Sequence, residues 1–255
     1  MYILGIETTC ALASAALTED GRLLREEVWQ GPMTHLQHLL PLIDRVLKQE
    51  ALQLSDLGAI AVSRGPGSFT GIRIGMATAK ALAQVRNIPV VPVPTLFAMA
   101  WANRRQEAVI CPVLDARRNQ VYGAAYRFSG KEAKERLKEG AYDLEQVLSA
   151  VSQEETVCFL GDGLERYGSR IEEALGERAV FLPKEERLQR AAAVSEIGFF
   201  MYQRGLGENY VTAMPEYLRS SEAERNLLAK QKKEREKSMP AREKRPQEEG
   251  RENFK

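Results

Sequence analysis

The sequence predicts an α/β protein built from two similarly planned halves, and three observations support this fold class. Strand-like and helix-like runs in the first half follow the order βββ-α-β-α-β-α over about 100 residues. The second half, from Ala108, again starts with antiparallel strands and continues with a strand, a glycine turn and a helix. A glycine-rich stretch, residues 63–75, joins a strand to a helix in the first half.

The first half opens with a three-strand antiparallel meander. Its strands are predicted at residues 2–8, 11–17 and 22–28. Residues 34–48 then carry apolar side chains at helical spacing, which predicts a helix with Thr34 at its N-cap. Pro41 lies inside this pattern and predicts either a kink or a later start of the helix.

The glycine-rich stretch follows a predicted strand at residues 59–62 and precedes a predicted helix at residues 76–85. Glycine permits positive φ and close approach of other groups, so we interpret Gly65, Gly67 and Gly71 as a structural loop. The lysine of a Walker A motif is absent, and the third glycine comes one residue late for a dinucleotide fingerprint. The pattern therefore favours a structural or partner-facing turn over a phosphate site.

The remaining elements complete two lobes. Strands are predicted at residues 90–93, 108–114, 120–128, 156–160 and 180–182, and helices at 96–102, 147–151, 164–175 and 191–202. We expect an N-terminal lobe at residues 1–104 and a C-terminal lobe at 105–225, whose last helix packs back on the first lobe. Residues 226–255 are rich in charge and poor in apolar side chains, which predicts a disordered tail.

The overall composition excludes several classes of protein. With 36 Lys+Arg against 35 Asp+Glu, the net charge of +1 offers no bulk attraction to nucleic acid, although residues 226–255 hold ten Lys+Arg and six Asp+Glu. Neither a signal peptide nor an apolar run long enough for a membrane helix is recognisable. The three cysteines are widely spaced and predict buried free thiols in a reducing cytoplasm.

Two turns are candidates for cofactor binding. Glu7, Thr8 and Thr9 follow the first strand and could hold a magnesium–phosphate group, or could satisfy backbone groups of their own turn, which the sequence favours. Gly161 and Gly163 form a second turn that is similarly ambiguous, with a plain strand–helix turn favoured. His35 and His38 could share a helix face, but two imidazoles without a third ligand do not predict a metal site.

The sequences GIETT at residues 5–9, RGPGSFTGIRIG at 64–75, GDG at 161–163 and PEYLR at 215–219 resemble the TsaB (YeaZ) family. The resemblance spans residues 1 to about 225 and implies two ribonuclease-H-like lobes of the actin-like, sugar-kinase and Hsp70 fold. It also implies that the chain is a partner subunit in the biosynthesis of threonylcarbamoyladenosine, a modified adenosine that lies next to the anticodon of tRNA. The implied partners are a TsaD-like catalytic subunit and a TsaE-like ATPase, with tRNA reached through the complex.

The same resemblance implies that this chain is not the catalyst. TsaD-like proteins carry a metal-binding His-x-x-x-His in the corresponding helix, and the two matching positions here are Thr95 and Met99. A hydroxyl and a thioether do not replace two imidazoles on a divalent metal. We therefore expect no cofactor on this chain alone, with ATP and metal held by partner subunits. An ATP-binding or metal-dependent, glycoprotease-like enzyme of the same superfamily stays open as the alternative.

The resemblance finally implies that the helices at residues 36–48 and 72–85 pack on the equivalent helices of the partner, or form a homodimer when the partner is absent. Small residues would allow close approach of two helices. The predicted interface residues are Leu36, Leu39, Leu40, Ile43, Ile72, Arg73, Gly75, Met76, Ala79 and Ala83.

Overall fold

The computed structural model describes residues 1–31 and 35–218. The first five strands form one sheet in the order β3-β2-β1-β4-β5, in which β1 to β3 are antiparallel and β4 and β5 run parallel to β1. These strands are β1 (Tyr2–Glu7), β2 (Leu12–Glu19), β3 (Arg22–Gln30), β4 (Leu57–Gly65) and β5 (Val90–Pro94). The helices α1 (His35–Gln49), α2 (Phe69–Arg86) and α3 (Thr95–Ala102) follow β3, β4 and β5.

The second sheet repeats this plan, with the strand order β10-β9-β6-β7-β8. Its strands are β6 (Val109–Asp115), β7 (Gln120–Ser129), β8 (Glu132–Asp143), β9 (Val157–Leu160) and β10 (Ala179–Phe181). Helices α4 (Leu144–Ala150) and α5 (Leu164–Leu175) belong to this sheet, and α6 (Ala191–Gln203) follows β10. Both sheets thus have three antiparallel strands followed by two parallel ones, which confirms the predicted pair of ribonuclease-H-like lobes.

The core is arranged in alternating layers because successive strand residues face opposite sides of a sheet. In β1, Leu4 and Ile6 face α1 and α2, whereas Ile3 faces α3 and α6. The helix α3 also packs against the second sheet, where Met99 joins the apolar cluster of β6, β7 and β9. The other side of the second sheet is covered by α4 and α5.

Two predicted elements need correction. The helix α2 begins at Phe69 rather than at residue 72 or 76, because the Ser68 hydroxyl caps it by accepting a hydrogen bond from the Gly71 N–H at 3.2 Å. The prediction that Gly71 is a loop residue is therefore wrong, since it lies in the first turn of α2. The strand β8 is absent from the sequence-based prediction, although it pairs with β7 along its length.

Other expectations have simple outcomes. The helix α1 is continuous from His35 through Pro41 to Gln49. All three cysteines are buried and free. Within the described part of the chain, no helix is long and apolar enough to cross a membrane. The proposed N-cap Thr34 and the charged tail at residues 226–255 lie outside the described residues.

Candidate functional site

The turn after β1 is held by the glycine-rich stretch. The buried Glu7 carboxylate accepts hydrogen bonds from the Ser63 hydroxyl and from the Thr9 N–H. The Thr8 hydroxyl donates to the Gly71 carbonyl at 2.7 Å, and the Ser68 N–H donates to the Thr9 carbonyl at 2.7 Å. The carboxylate and one of the two hydroxyls that made this turn a phosphate candidate are therefore used within the chain, whereas the buried Thr9 hydroxyl has no hydrogen-bond partner among the described residues.

Close approach of two backbones explains the glycines at this point. A Cβ at Gly67, whose φ is +154°, would lie 2.6 Å from the Thr9 carbonyl oxygen. A Cβ at Gly71 would overlap the Thr8 carbonyl oxygen. The glycines thus let the loop and the first turn of α2 lie directly on the Glu7–Thr9 turn, where a side chain would force them apart.

Burial raises the pKa of the Glu7 carboxyl, although hydrogen bonds from Ser63 and Thr9 oppose the shift. Because the folded pKa is raised, the native state binds a proton more tightly than the unfolded state, whose glutamate pKa is about 4.3. The stability that this group contributes is present below that pH and is lost as the pH rises through the folded pKa.

We therefore expect Glu7→Gln to gain stability relative to the native chain as the pH rises from about 4, the unfolded glutamate pKa, through the raised folded pKa of Glu7. The amide keeps one acceptor for the Thr9 N–H and can donate to the Ser63 hydroxyl, without the cost of a buried charge. Urea unfolding of both proteins across this range measures the difference in the free energy of unfolding. A difference that stays constant with pH would contradict the assignment.

The second candidate turn ties α5 to the second sheet. The Gly163 N–H donates to the Val113 carbonyl at 3.1 Å, and the Asp162 carboxylate accepts from the Asp115 N–H at 3.0 Å. Burial raises the pKa of Asp162. The turn also borders a cavity of about 340 Å³, whose other lining residues include Leu12, Glu165, Lys184, Arg187 and Arg190.

Cys10 directly follows the first candidate turn and is buried. Burial raises the pKa of the Cys10 thiol, and the charges of Glu7 and, more weakly, Asp162 raise it further. The structure places the 340 Å³ cavity beside Gly161 and Asp162, and Thr8 and Thr9 are not among its lining residues.

The positions expected to replace metal ligands lie in the interior. Thr95 and Met99 are buried one turn apart on α3. His35 and His38 do not converge either, because the His35 Nε2 lies 2.8 Å from the Cys10 carbonyl oxygen while the His38 ring stacks on Trp29. Across residues 1–31 and 35–218, no group of three His, Cys, Asp or Glu side chains is placed to hold a metal ion.

A cavity that sequence reasoning missed lies between α3, α6 and β8, with a volume of about 740 Å³. Phe97 and Trp101 contribute apolar lining, and the Glu139 side chain also lines the cavity. The Leu96 N–H donates to the Glu139 carboxyl at 3.1 Å, and burial raises the pKa of this carboxyl to about 7. The sequence analysis missed this cavity because it did not predict β8, the strand that carries Glu139.

Most of the predicted interface residues are buried within the chain rather than exposed. The residues affected are Leu39, Ile43, Ile72, Gly75, Met76, Ala79 and Ala83, and their assignment to a partner interface is wrong. The small residues Gly75, Ala79 and Ala83 let α2 pack closely on the first sheet. A Cβ at Gly75 would lie 2.5 Å from the Thr8 hydroxyl oxygen. Periodicity identified the core-facing side of each helix, which is the side that carries most apolar residues.

The opposite side of the two helices is exposed and partly apolar. Leu36 and Leu40 on α1 are 72% and 55% exposed, one turn apart. Exposed residues on α2 include Phe69, Arg73, Ala77, Ala81 and Val85. We call these seven residues the α1/α2 surface. Ala77 and Ala81 could have been found in the sequence, because they repeat at a spacing of four opposite the buried stripe.

Comparison with known proteins identifies the class to which this fold belongs. The family described as "TsaD: tRNA N6-adenosine threonylcarbamoyltransferase" matches residues 32–227, well over half of the chain, and the chain belongs to this family. Within it, the chain belongs with the TsaB (YeaZ) proteins. It is 29% identical to TsaB of Bacillus subtilis over 233 residues, which cover 91% of this chain and 100% of that protein.

Further relatives agree. TsaB of Escherichia coli is 37% identical over 129 residues, covering 50% of this chain and 55% of that protein. The tRNA N6-adenosine threonylcarbamoyltransferase of Bacillus subtilis is 31% identical over 130 residues, covering 45% of this chain and 38% of that protein. The solved structure of YeaZ from Pseudomonas aeruginosa superposes with a TM-score of 0.73 at 28% identity, covering 85% of this chain and 99% of that one.

Proposed function

We propose that this chain is a non-catalytic subunit that binds a TsaD-family transferase through the α1/α2 surface and supports threonylcarbamoyladenosine formation in tRNA. The observation that carries the proposal is the exposure of Leu36 and Leu40 on α1 and of Ala77 and Ala81 on α2, two helices that contact each other. Apolar side chains beside small residues suit close packing of a second helix pair. We expect a transferase to supply such a pair, because the Bacillus subtilis transferase is similar in sequence to about half of this chain.

Two buried parts of the chain support the proposal that it is not the catalyst. Thr95 and Met99 offer no ligand set for a hard cation, and both are buried. The Glu7–Thr9 turn uses its carboxylate and one hydroxyl in hydrogen bonds to the glycine-rich stretch and to itself. We therefore assign ATP and metal to partner subunits, including a TsaE-like ATPase, and tRNA contact to the complex. Self-association through the α1/α2 surface is expected when the transferase is absent.

Isothermal titration calorimetry of the chain with the TsaD-family transferase of the same organism tests the proposal. We expect the transferase to give a saturable heat of binding with 1:1 stoichiometry. Mg-ATP titrated into the isolated chain is expected to give no heat of binding. Failure of the transferase to bind would overturn the proposed function.

The alternative is an ATP-binding enzyme of the same superfamily, and the 340 Å³ cavity is the observation in its favour. It borders the Gly161–Gly163 turn, and its lining includes three cationic side chains, Lys184, Arg187 and Arg190, beside the carboxylates of Asp162, Glu165 and Glu185. Saturable Mg-ATP binding with hydrolysis by the isolated chain would favour this alternative. A metal-dependent peptidase would instead purify with a stoichiometric metal ion, which elemental analysis detects.

A further inference from the structure

The segment after α6 runs back along α2. Glu208 pairs with Val90 at the end of the first sheet, and the Lys80 ammonium donates to the carbonyls of Val211 at 3.2 Å and Ala213 at 3.0 Å. The Glu216 N–H then donates to the Arg64 carbonyl at 2.8 Å, and the Glu216 carboxylate forms an ion pair with Arg64 at 2.7 Å. These contacts fix the segment, residues 207–218, against the helix and the glycine-rich stretch.

The end of this segment places Tyr217 beside the first turn of α2. Its ring centroid lies 5.0 Å from that of Phe69. The Arg73 guanidinium lies 4.0 Å above the Phe69 ring centroid, and its Nε donates to the Tyr217 hydroxyl at 3.1 Å. We call these three residues the arginine–aromatic patch. It extends the α1/α2 surface onto the segment 207–218.

Arg73 carries a charge that the described chain does not neutralise. Its Nε is occupied by Tyr217, but no carboxylate among residues 1–31 and 35–218 forms an ion pair with it. Stacking on Phe69 restricts the guanidinium before any partner arrives, so less side-chain entropy is lost on binding. Arginine and tyrosine are also the residue types that most often dominate interface energetics.

The charges of the two helices indicate which partner suits this arginine. The helix α2 contains no acidic residue, and α1 contains one, Asp44, which pairs with Lys48 at 2.8 Å. A second copy of this chain, docked through the same two helices, would therefore present no unpaired carboxylate from them to Arg73. A different chain with an acidic residue at the corresponding place would complete the patch.

We propose that Phe69, Arg73 and Tyr217 form the anchor of the α1/α2 surface, and that Arg73 receives an aspartate or glutamate carboxylate of the TsaD-family partner. This inference rests on the proposed function. It also predicts that the α1/α2 surface binds the transferase more tightly than a second copy of this chain. The reason is that α1 and α2 of a second copy would present no unpaired carboxylate to Arg73, whereas the transferase would. Tyr217 positions the guanidinium through its hydroxyl group.

The test compares Arg73→Gln and Tyr217→Phe with the native chain in titrations against the transferase at several salt concentrations. We expect Arg73→Gln to weaken transferase binding by about 10- to 100-fold and to reduce its salt dependence, since a desolvated charge pair is lost. Tyr217→Phe should weaken it by less. Self-association of Arg73→Gln, followed by sedimentation, should equal that of the native chain.

Arg105→Gln is the matched control, because it removes an exposed arginine from the loop after α3. It should bind the transferase like the native chain. Suppose that the native chain binds the transferase and that Arg73→Gln binds it with an affinity within twofold of the native value and the same salt dependence. The assignment of Arg73 to the anchor is then wrong, while the proposed function stands. If Arg73→Gln weakens self-association as strongly as transferase binding, the inferred preference of the α1/α2 surface for the transferase over a second copy is wrong. If the native chain does not bind the transferase, both proposals fail together.

Discussion

Replacing both Leu36 and Leu40 with aspartate is expected to abolish binding of the TsaD-family transferase while leaving the chain folded. Each leucine is more than half exposed, so the isolated chain loses little packing. In the complex, each buried leucine would contribute about 1.5–3 kcal/mol, and an unpaired carboxylate in its place would add a desolvation cost. Calorimetry should therefore register at least about a 100-fold loss of affinity.

Val180→Asp is the matched control for this double variant. Val180 is 41% exposed on β10 in the second sheet, away from the α1/α2 surface. It should not affect transferase binding, and the free energy of unfolding of the double variant should stay within about 0.5 kcal/mol of the native value. Undiminished binding by a folded Leu36→Asp, Leu40→Asp protein would show that the partner docks elsewhere.

Replacing Gly71 with alanine is expected to destabilise the chain by about 3 kcal/mol. The new Cβ would overlap the Thr8 carbonyl oxygen, so α2 and the Glu7–Thr9 turn must move apart. This movement also strains the hydrogen bond from the Thr8 hydroxyl to the Gly71 carbonyl. Urea unfolding followed by circular dichroism measures the effect.

Gly168→Ala separates close packing from the general effect of alanine in a helix. Gly168 lies inside α5, and a Cβ there would meet no atom within 4 Å. Its replacement should therefore stabilise the chain by about 0.5–1 kcal/mol through helix propensity alone. Similar changes in the free energy of unfolding for the two variants would contradict the packing assigned to Gly71.

The fold could be predicted largely from sequence because most strands carry apolar, β-branched runs bounded by turns. The strand β8 could not, because nearly all side chains in its first half are charged or exposed. It lies at the edge of the second sheet, where β7 is its one pairing neighbour among the described residues and charged side chains are tolerated. Its position is determined by pairing with β7, a long-range contact that residue pattern does not report.

Most of the interface residues predicted on α1 and α2 lie on the buried faces of these helices. Apolar spacing in α2 identified Ile72, Met76 and Ala79, which face the sheet. The exposed side depends on what covers each helix in three dimensions, and this is decided by the packing of α1 on β2 and β3 and of α2 on β1 and β4. Contact of Tyr217 with Arg73 joins residues 144 positions apart, so no local pattern could reveal it.

We propose that this chain serves a TsaD-family transferase rather than performing the transfer. Reconstituted threonylcarbamoyladenosine formation on tRNA, with the TsaD-family transferase and its ATPase partner, tests it most directly. We predict that product forms only when this chain is added, and that the Leu36→Asp, Leu40→Asp variant does not replace it. Equal product without this chain, or product from this chain in the absence of the transferase, would contradict the claim.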